Sequence, residues 1–113
     1  MTAELLASTP EPPYWAVIFS SRPAADRRGY AQMARRMREL AAGQPGFLGL
    51  ESAGEEPGIT VSYWQDEAAL LAWKANAEHL AAQQLGRERW YAEYIVRVAR
   101  VERAYAKAAA AGG

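Results

Sequence analysis

A chain of 113 residues, 50% of them apolar, has room for one domain and one core of modest size. Thirteen basic and thirteen acidic side chains cancel, which argues against a nucleic-acid partner, and the absence of cysteine excludes disulfides, thiolate metal sites and cysteine nucleophiles. No stretch approaches membrane-spanning length and no basic leader precedes an apolar run, so a cytoplasmic protein without a membrane partner is expected.

Met1 to Pro13 ends in Pro-Glu-Pro-Pro and reads as a flexible arm. Tyr14 to Ser20 (YWAVIFS) is a near-continuous apolar strand, broken by Arg22-Pro23. From about Ala24 to Ala42 the set Tyr30, Met33, Ala34, Met37, Leu40 and Ala41 recurs at three and four, predicting an amphipathic helix with an arginine-rich outer face that Gly43 stops. Arg22, Arg27, Arg28, Arg35, Arg36 and Arg38 crowd this region, and Glu51, Glu55, Glu56, Asp66 and Glu67 crowd the middle of the chain. That asymmetry reads as a solvated helix face complementing an acidic edge, within the chain or across a subunit contact, with an anion site as the alternative.

Phe47 to Ser52 is a second strand, and the turn residues Ala53 to Gly58 predict an antiparallel hairpin with a third strand, Ile59 to Trp64. Asp66 is the expected N-cap of the next helix, in which Ala69, Leu70 and Trp73 follow at helical spacing up to a stop at Asn76. A short helix from Ala77 to Leu85, carrying His79, is expected before Gly86, and Arg87 to Tyr91 adds a turn. Glu93 to about Arg103 is the last strand, with Tyr94, Val96 and Val98 on one face and Ile95, Arg97, Ala99 and Val101 on the other. Ala106 to Gly113 is a low-complexity tail, leaving a domain of residues 14–105.

The order βαββαβ is an α+β, ferredoxin-like plan: an antiparallel four-stranded sheet with helices on one face. That plan leaves the other face unburied, and with Val17, Phe19, Val61 and their neighbours the sheet is too apolar for water on either side, so two sheets are expected to pair in a homodimer.

On parity, Thr60, Ser62 and Trp64 share one face of the third strand, and Glu51 shares a face with Phe47 and Gly49 on the second. Arg97 interrupts an apolar face; if buried it needs a partner, for which Glu51 is a candidate, and it reads as a structural ion pair, as an edge residue at a dimer seam, or as a group that binds a substrate oxyanion. Trp64, Trp73, Trp90, Tyr63, Tyr91 and Tyr94 gather around the second helix and its flanking strands, as a core or as the lining of a pocket for a flat ligand. His79 is the single histidine, a residue type suited to a general base, but beside Glu78 it also reads as a surface residue or cap.

The segments Gly46 to Ser52 (GFLGLES), Val61 to Trp64 (VSYW) and Ala72 to Lys74 (AWK), followed by His79, Gly86-Arg87, Trp90-Tyr91 and Tyr94 to Tyr105 (YIVRVARVERAY), resemble the antibiotic biosynthesis monooxygenase family. The resemblance implies a homodimeric α+β barrel. It also implies a pocket between sheet and helices for a small aromatic or polyketide-like molecule, oxidised by O2 without a cofactor or metal. Deprotonation of an electron-rich phenol or anthrone gives a carbanion that itself reacts with oxygen, so the site needs an apolar slot, a donor to enolate charge and a base. On this reading Trp64, Trp73, His79 and Arg97 are the catalytic candidates. Tyr63, Trp90, Tyr94, Glu51 and Ser62 are the substrate-binding ones.

Two alternatives share the fold. One is a non-catalytic binding or structural dimer, favoured if the tryptophans fill their own slot. The other is the haem-degrading branch, which uses an Asn on the first strand and a ligating His about ten residues beyond the helical Trp. Trp73 matches that tryptophan, but Gln83 stands ten residues on, His79 stands six on, and the first strand has no Asn.

Overall fold

Six elements follow one another: β1 (Tyr14–Pro23), α1 (Tyr30–Ala42), β2 (Phe47–Ala53), β3 (Gly58–Trp64), α2 (Glu67–Gln83) and β4 (Tyr91–Val101). The computed structural model describes residues 6–54, 56–83 and 91–107. The strands form one antiparallel sheet in the order β2-β3-β1-β4, so the expected ferredoxin-like βαββαβ plan stands.

Both helices lie on the same face of the sheet. Trp64 is the anchor there: it is wholly buried, and Leu70 of α2 and Ala41 of α1 close over it, with Trp15, Val17, Phe47, Ala69 and Trp73 around them. Gly46 is needed at this joint. Its backbone has φ +82°, and a Cβ there would stand 2.6 Å from Ala69 Cβ, so α2 could not seat so closely on the turn before β2. Asp66 caps α2 as expected, its Oδ1 accepting the Ala69 N–H at 2.8 Å. A second cluster, Met33 with Tyr30, Met37, Leu40 and Tyr91, packs α1 against the start of β4.

Four local expectations change. First, α1 starts at Tyr30 rather than Ala24. Asp26 Oδ1 accepts the Arg28 N–H at 3.1 Å, a local turn that competes with helix, and Gly29 is left-handed. Second, β1 continues through Arg22-Pro23. A bulge between those residues sets Pro23 opposite Tyr91, and the β3 partner has already ended at Gly58, so the missing N–H costs little. Third, α2 runs unbroken through Asn76, whose Nδ2 donates to Gln44 Oε1 at 2.9 Å; the side chain ties α2 to the end of α1 instead of closing the helix. Fourth, a bulge between Phe47 and Gly49 shifts the β2 register, so Phe47 lies with Trp64 on the helical face while Gly49 and Glu51 lie on the opposite, open face.

The open face is partly covered by the segment before β1. The Ala7 N–H donates to Glu51 Oε2 at 2.9 Å and Thr9 Oγ1 donates to the Tyr14 hydroxyl at 3.0 Å. Ala7 sits where a side chain on Gly49 would be; a Cβ there would lie 2.8 Å from Ala7 Cβ. The other edge, β4, is bare: residues 92–100 are all exposed in the single chain. Residues 106 and 107 follow β4 without regular structure, and 108–113 lie outside the described residues.

Candidate functional site

The sheet separates the sequence candidates. On the helical face, Trp64 stacks on Trp73 with centroids 5.9 Å apart and planes at 19°, and Phe47 meets Trp64 edge-on. The Trp64 Nε1–H donates to Ser62 Oγ at 2.9 Å, so one turn of strand parity brings these two candidates together and satisfies the only donor that an indole has. This slot is filled by its own rings. Trp73 is half-buried and keeps surface to offer a ligand.

Farther along the same face, Tyr94 stacks on Phe19 at 5.4 Å and 18°, and Tyr91 meets Phe19 and Tyr30 edge-on. The guanidinium of Arg27 lies 4.4 Å from the Tyr30 centroid. The two aromatic groups stand at opposite ends of the helical face. Trp15 pairs with Trp64 in register and Phe19 lies four residues along, about 13 Å away at roughly 3.3 Å per residue. Between them run Val17 of β1 and Val96 and Val98 of β4, the last two 40% and 49% exposed. α2 covers β1 and β3 but leaves this β4 strip open.

The remaining candidates lie elsewhere. Glu51 and Tyr63 are on the open face, where the Tyr63 hydroxyl donates to Glu51 Oε1 at 2.7 Å. Partial burial first, then this bond and the Glu51 charge, push the Tyr63 phenol up to about 12. Arg97 is also on the open face but on β4, the opposite edge from Glu51, so the expected pairing of the two does not form within one chain. His79 is exposed on α2, two positions past half-buried Ala77 and so turned away from the Leu70–Trp73–Ala77 stripe that meets the sheet. Trp90, with most of the expected turn from Arg87, lies outside the described residues.

Phe19, Tyr30 and Met33, which line the second aromatic group, were not singled out as site residues; their long-range placement against Tyr91 and Tyr94 is not written in local spacing. Arg35, Arg36 and Arg38 are exposed, as a solvated helix face requires. Among the described residues no His, Asp and Glu group could hold a metal ion, and no helix is long and apolar enough to cross a membrane.

An antiparallel sheet of order β2-β3-β1-β4 with both helices on one face, and an apolar strip beside them on β4, defines the class of small ferredoxin-like α+β domains. Residues 14–85 match the antibiotic biosynthesis monooxygenase family, and the chain belongs to that family. It is 53% identical over 102 residues to an uncharacterized protein, YqjZ, of Bacillus subtilis (strain 168), spanning 88% of this chain and 90% of that protein. It is 33% identical over 92 residues to a jasmonate monooxygenase of Pyricularia oryzae, spanning 77% of this chain but only 43% of the fungal protein. SnoaB, a cofactor-independent oxygenase from Streptomyces nogalater, shares the fold with a TM-score of 0.69 at 11% identity, covering 85% of this chain and 100% of that one.

Proposed function

We propose that this protein is a cofactor-independent monooxygenase that oxidises a small, flat aromatic or polyketide-like molecule with O2 and works as a cytoplasmic homodimer. The observation that carries this reading is the open apolar strip on the helical face, floored by Val17, Val96 and Val98 and ended by aromatic rings. Its length of about 13 Å suits a flat tricycle. Family membership and the named relatives support the same chemistry. For an anthrone, the balanced step consumes one O2: one oxygen atom becomes the new ring carbonyl and the other leaves as water with the two hydrogens of the oxidised carbon.

The strip supplies exclusion of water and a stacking surface, and the Tyr94 phenol toward one end and the Trp73 indole toward the other carry polar tips. Developing enolate charge is stabilised by such donors. Trp64 and Ser62 serve by fixing Trp73, since their own donor and acceptor are spent on each other. Two sheets pairing through their open faces would cover Val61, Ile18 and Ile95 while leaving the strip on the outer, helical side.

A second reading, a non-catalytic binding dimer, is favoured by the closed Trp64–Trp73 stack. Anthrone titration followed by oxygen uptake separates the two. The oxygenase reading expects tryptophan quenching and oxygen consumption above the buffer rate, both lost when Val98→Trp fills the strip. Quenching without oxygen consumption would leave the binding protein, and neither response would remove the strip as a site for this ligand class.

A further inference from the structure

The open face carries one charge pattern that the proposed chemistry does not use. Glu51 pairs in register with Val61, Val61 with Ile18, and Ile18 with Arg97. These four side chains therefore form one row straight across the sheet, all on the face away from the helices. An acid stands at one edge, a base at the other, and two branched aliphatics lie between them. Three strand spacings separate the charges, about 14 Å, so they cannot meet in one chain. Arg97 is exposed and makes no ion pair among the described residues.

We infer that a second copy of this chain docks on this face about a two-fold axis running along the strands, so that each Glu51 meets the partner subunit's Arg97. The inference rests on the homodimer proposed above and gives it an orientation. An axis along the strands reverses strand order but preserves the level along each strand, so every row faces its own reverse. The Glu51 row then forms two ion pairs flanking a Val61–Ile18 centre. Sheets stack about 10 Å apart, a gap that a glutamate and an extended arginine span together.

The adjacent rows fit the same operator. Gly49, Tyr63, Ala16 and Ala99 form one row, and Ala53, Ile59, Ser20 and Ile95 another. Reversal sets small Ala99 over Gly49, where Ala7 already occupies the space, and large Ile95 over small Ala53. Glu51 is held ready: Ala7 N–H and Tyr63 O–H fix both carboxylate oxygens, and each keeps a second lone pair for a guanidinium. An axis across the strands instead lays β4 on β4 and β2 on β2. There Glu51 finds no cation on the facing β2, and the acid on β4's open face, Glu93, is already bound to Arg22 at 2.9 Å.

The test is a charge exchange on the full chain, read as dimer dissociation by sedimentation or light scattering. Arg97→Glu and Glu51→Arg each place two like-charge pairs in the interface and should raise the dimer Kd roughly tenfold or more. Mixed in equal amounts, the two variants should form a heterodimer with an affinity within about threefold of the original, because each chain then complements the other. The effect should shrink in high salt. Among the described residues Arg97 makes no hydrogen bond or ion pair, and it is exposed, so a loss of dimer in Arg97→Glu is not a loss of fold. If both single variants dimerise like the parent, the row pairing is overturned while the homodimer stands. Rescue of Arg97→Glu by Glu93→Arg rather than by mixing would overturn it in favour of the axis across the strands. A monomeric parent would remove the homodimer and this inference together.

Discussion

Strands β3 and β4 are built from the same residue types and meet opposite surroundings. β3 (GITVSYW) lies inside the sheet and ends in a tryptophan with no exposed surface; β4 (YAEYIVRVARV) is an edge whose Ile95 and Val98 are 52% and 49% exposed in the single chain. β-branched and aromatic composition predicts extended backbone in both, yet burial follows from where the topology puts the strand. The interior strand spends its apolar surface on the fold. The edge strand keeps its surface on both faces, which makes it the part of the chain with something left to bind.

Substitutions can break that contrast. Trp64→Ala should destabilise the protein by about 3–5 kcal/mol in denaturant titration, whereas Val98→Ala should cost less than about 1 kcal/mol. Equal losses at the two positions would mean that β4 is as much core as β3.

A smaller effect is expected at the strapped edge. Gly49→Ala places a methyl group in the space of Ala7, and the clash of about 1–3 kcal/mol is relieved by lifting the segment before β1 rather than by unfolding the sheet. Faster protease cleavage within residues 6–13 at nearly unchanged global stability would register it. Unchanged cleavage would show that the segment is not held at Gly49.

The smallest effect is a titration. Tyr63 sits at about 12, above its ordinary value of 10.0, so the folded state holds the phenolic proton after the unfolded chain has lost it. The resulting stabilisation is complete below pH 10 and disappears as pH climbs to about 12; Tyr63→Phe should lack that fall. Glu51→Gln should bring the tyrosinate absorbance midpoint only part of the way back, because partial burial is the larger cause. A full return would make the carboxylate the larger cause.

Much of the fold was legible in the chain. Turn residues marked the β2–β3 hairpin, Asp66 marked the start of α2, and alternation assigned the faces of β3 and β4. Alternation failed on β2, where the bulge at Leu48 reverses the face; Gly49, next in the chain, was its local signal. Asn76 misled because its partner, Gln44, lies 32 residues away. The candidate site was less legible. Which face Glu51, Tyr63 and Arg97 share, and that Trp64 and Ser62 satisfy each other, depend on strand order and register, which no local window contains.

The Trp64–Trp73 stack also gives the protein an optical signature. Two nearly parallel indoles at 5.9 Å, one on the sheet and one on α2, are close enough to share excitation, so their transitions mix and split in circular dichroism. The couplet exists only while α2 is seated on the sheet. It therefore reports the docking of that single helix, separately from the helical content of the whole chain.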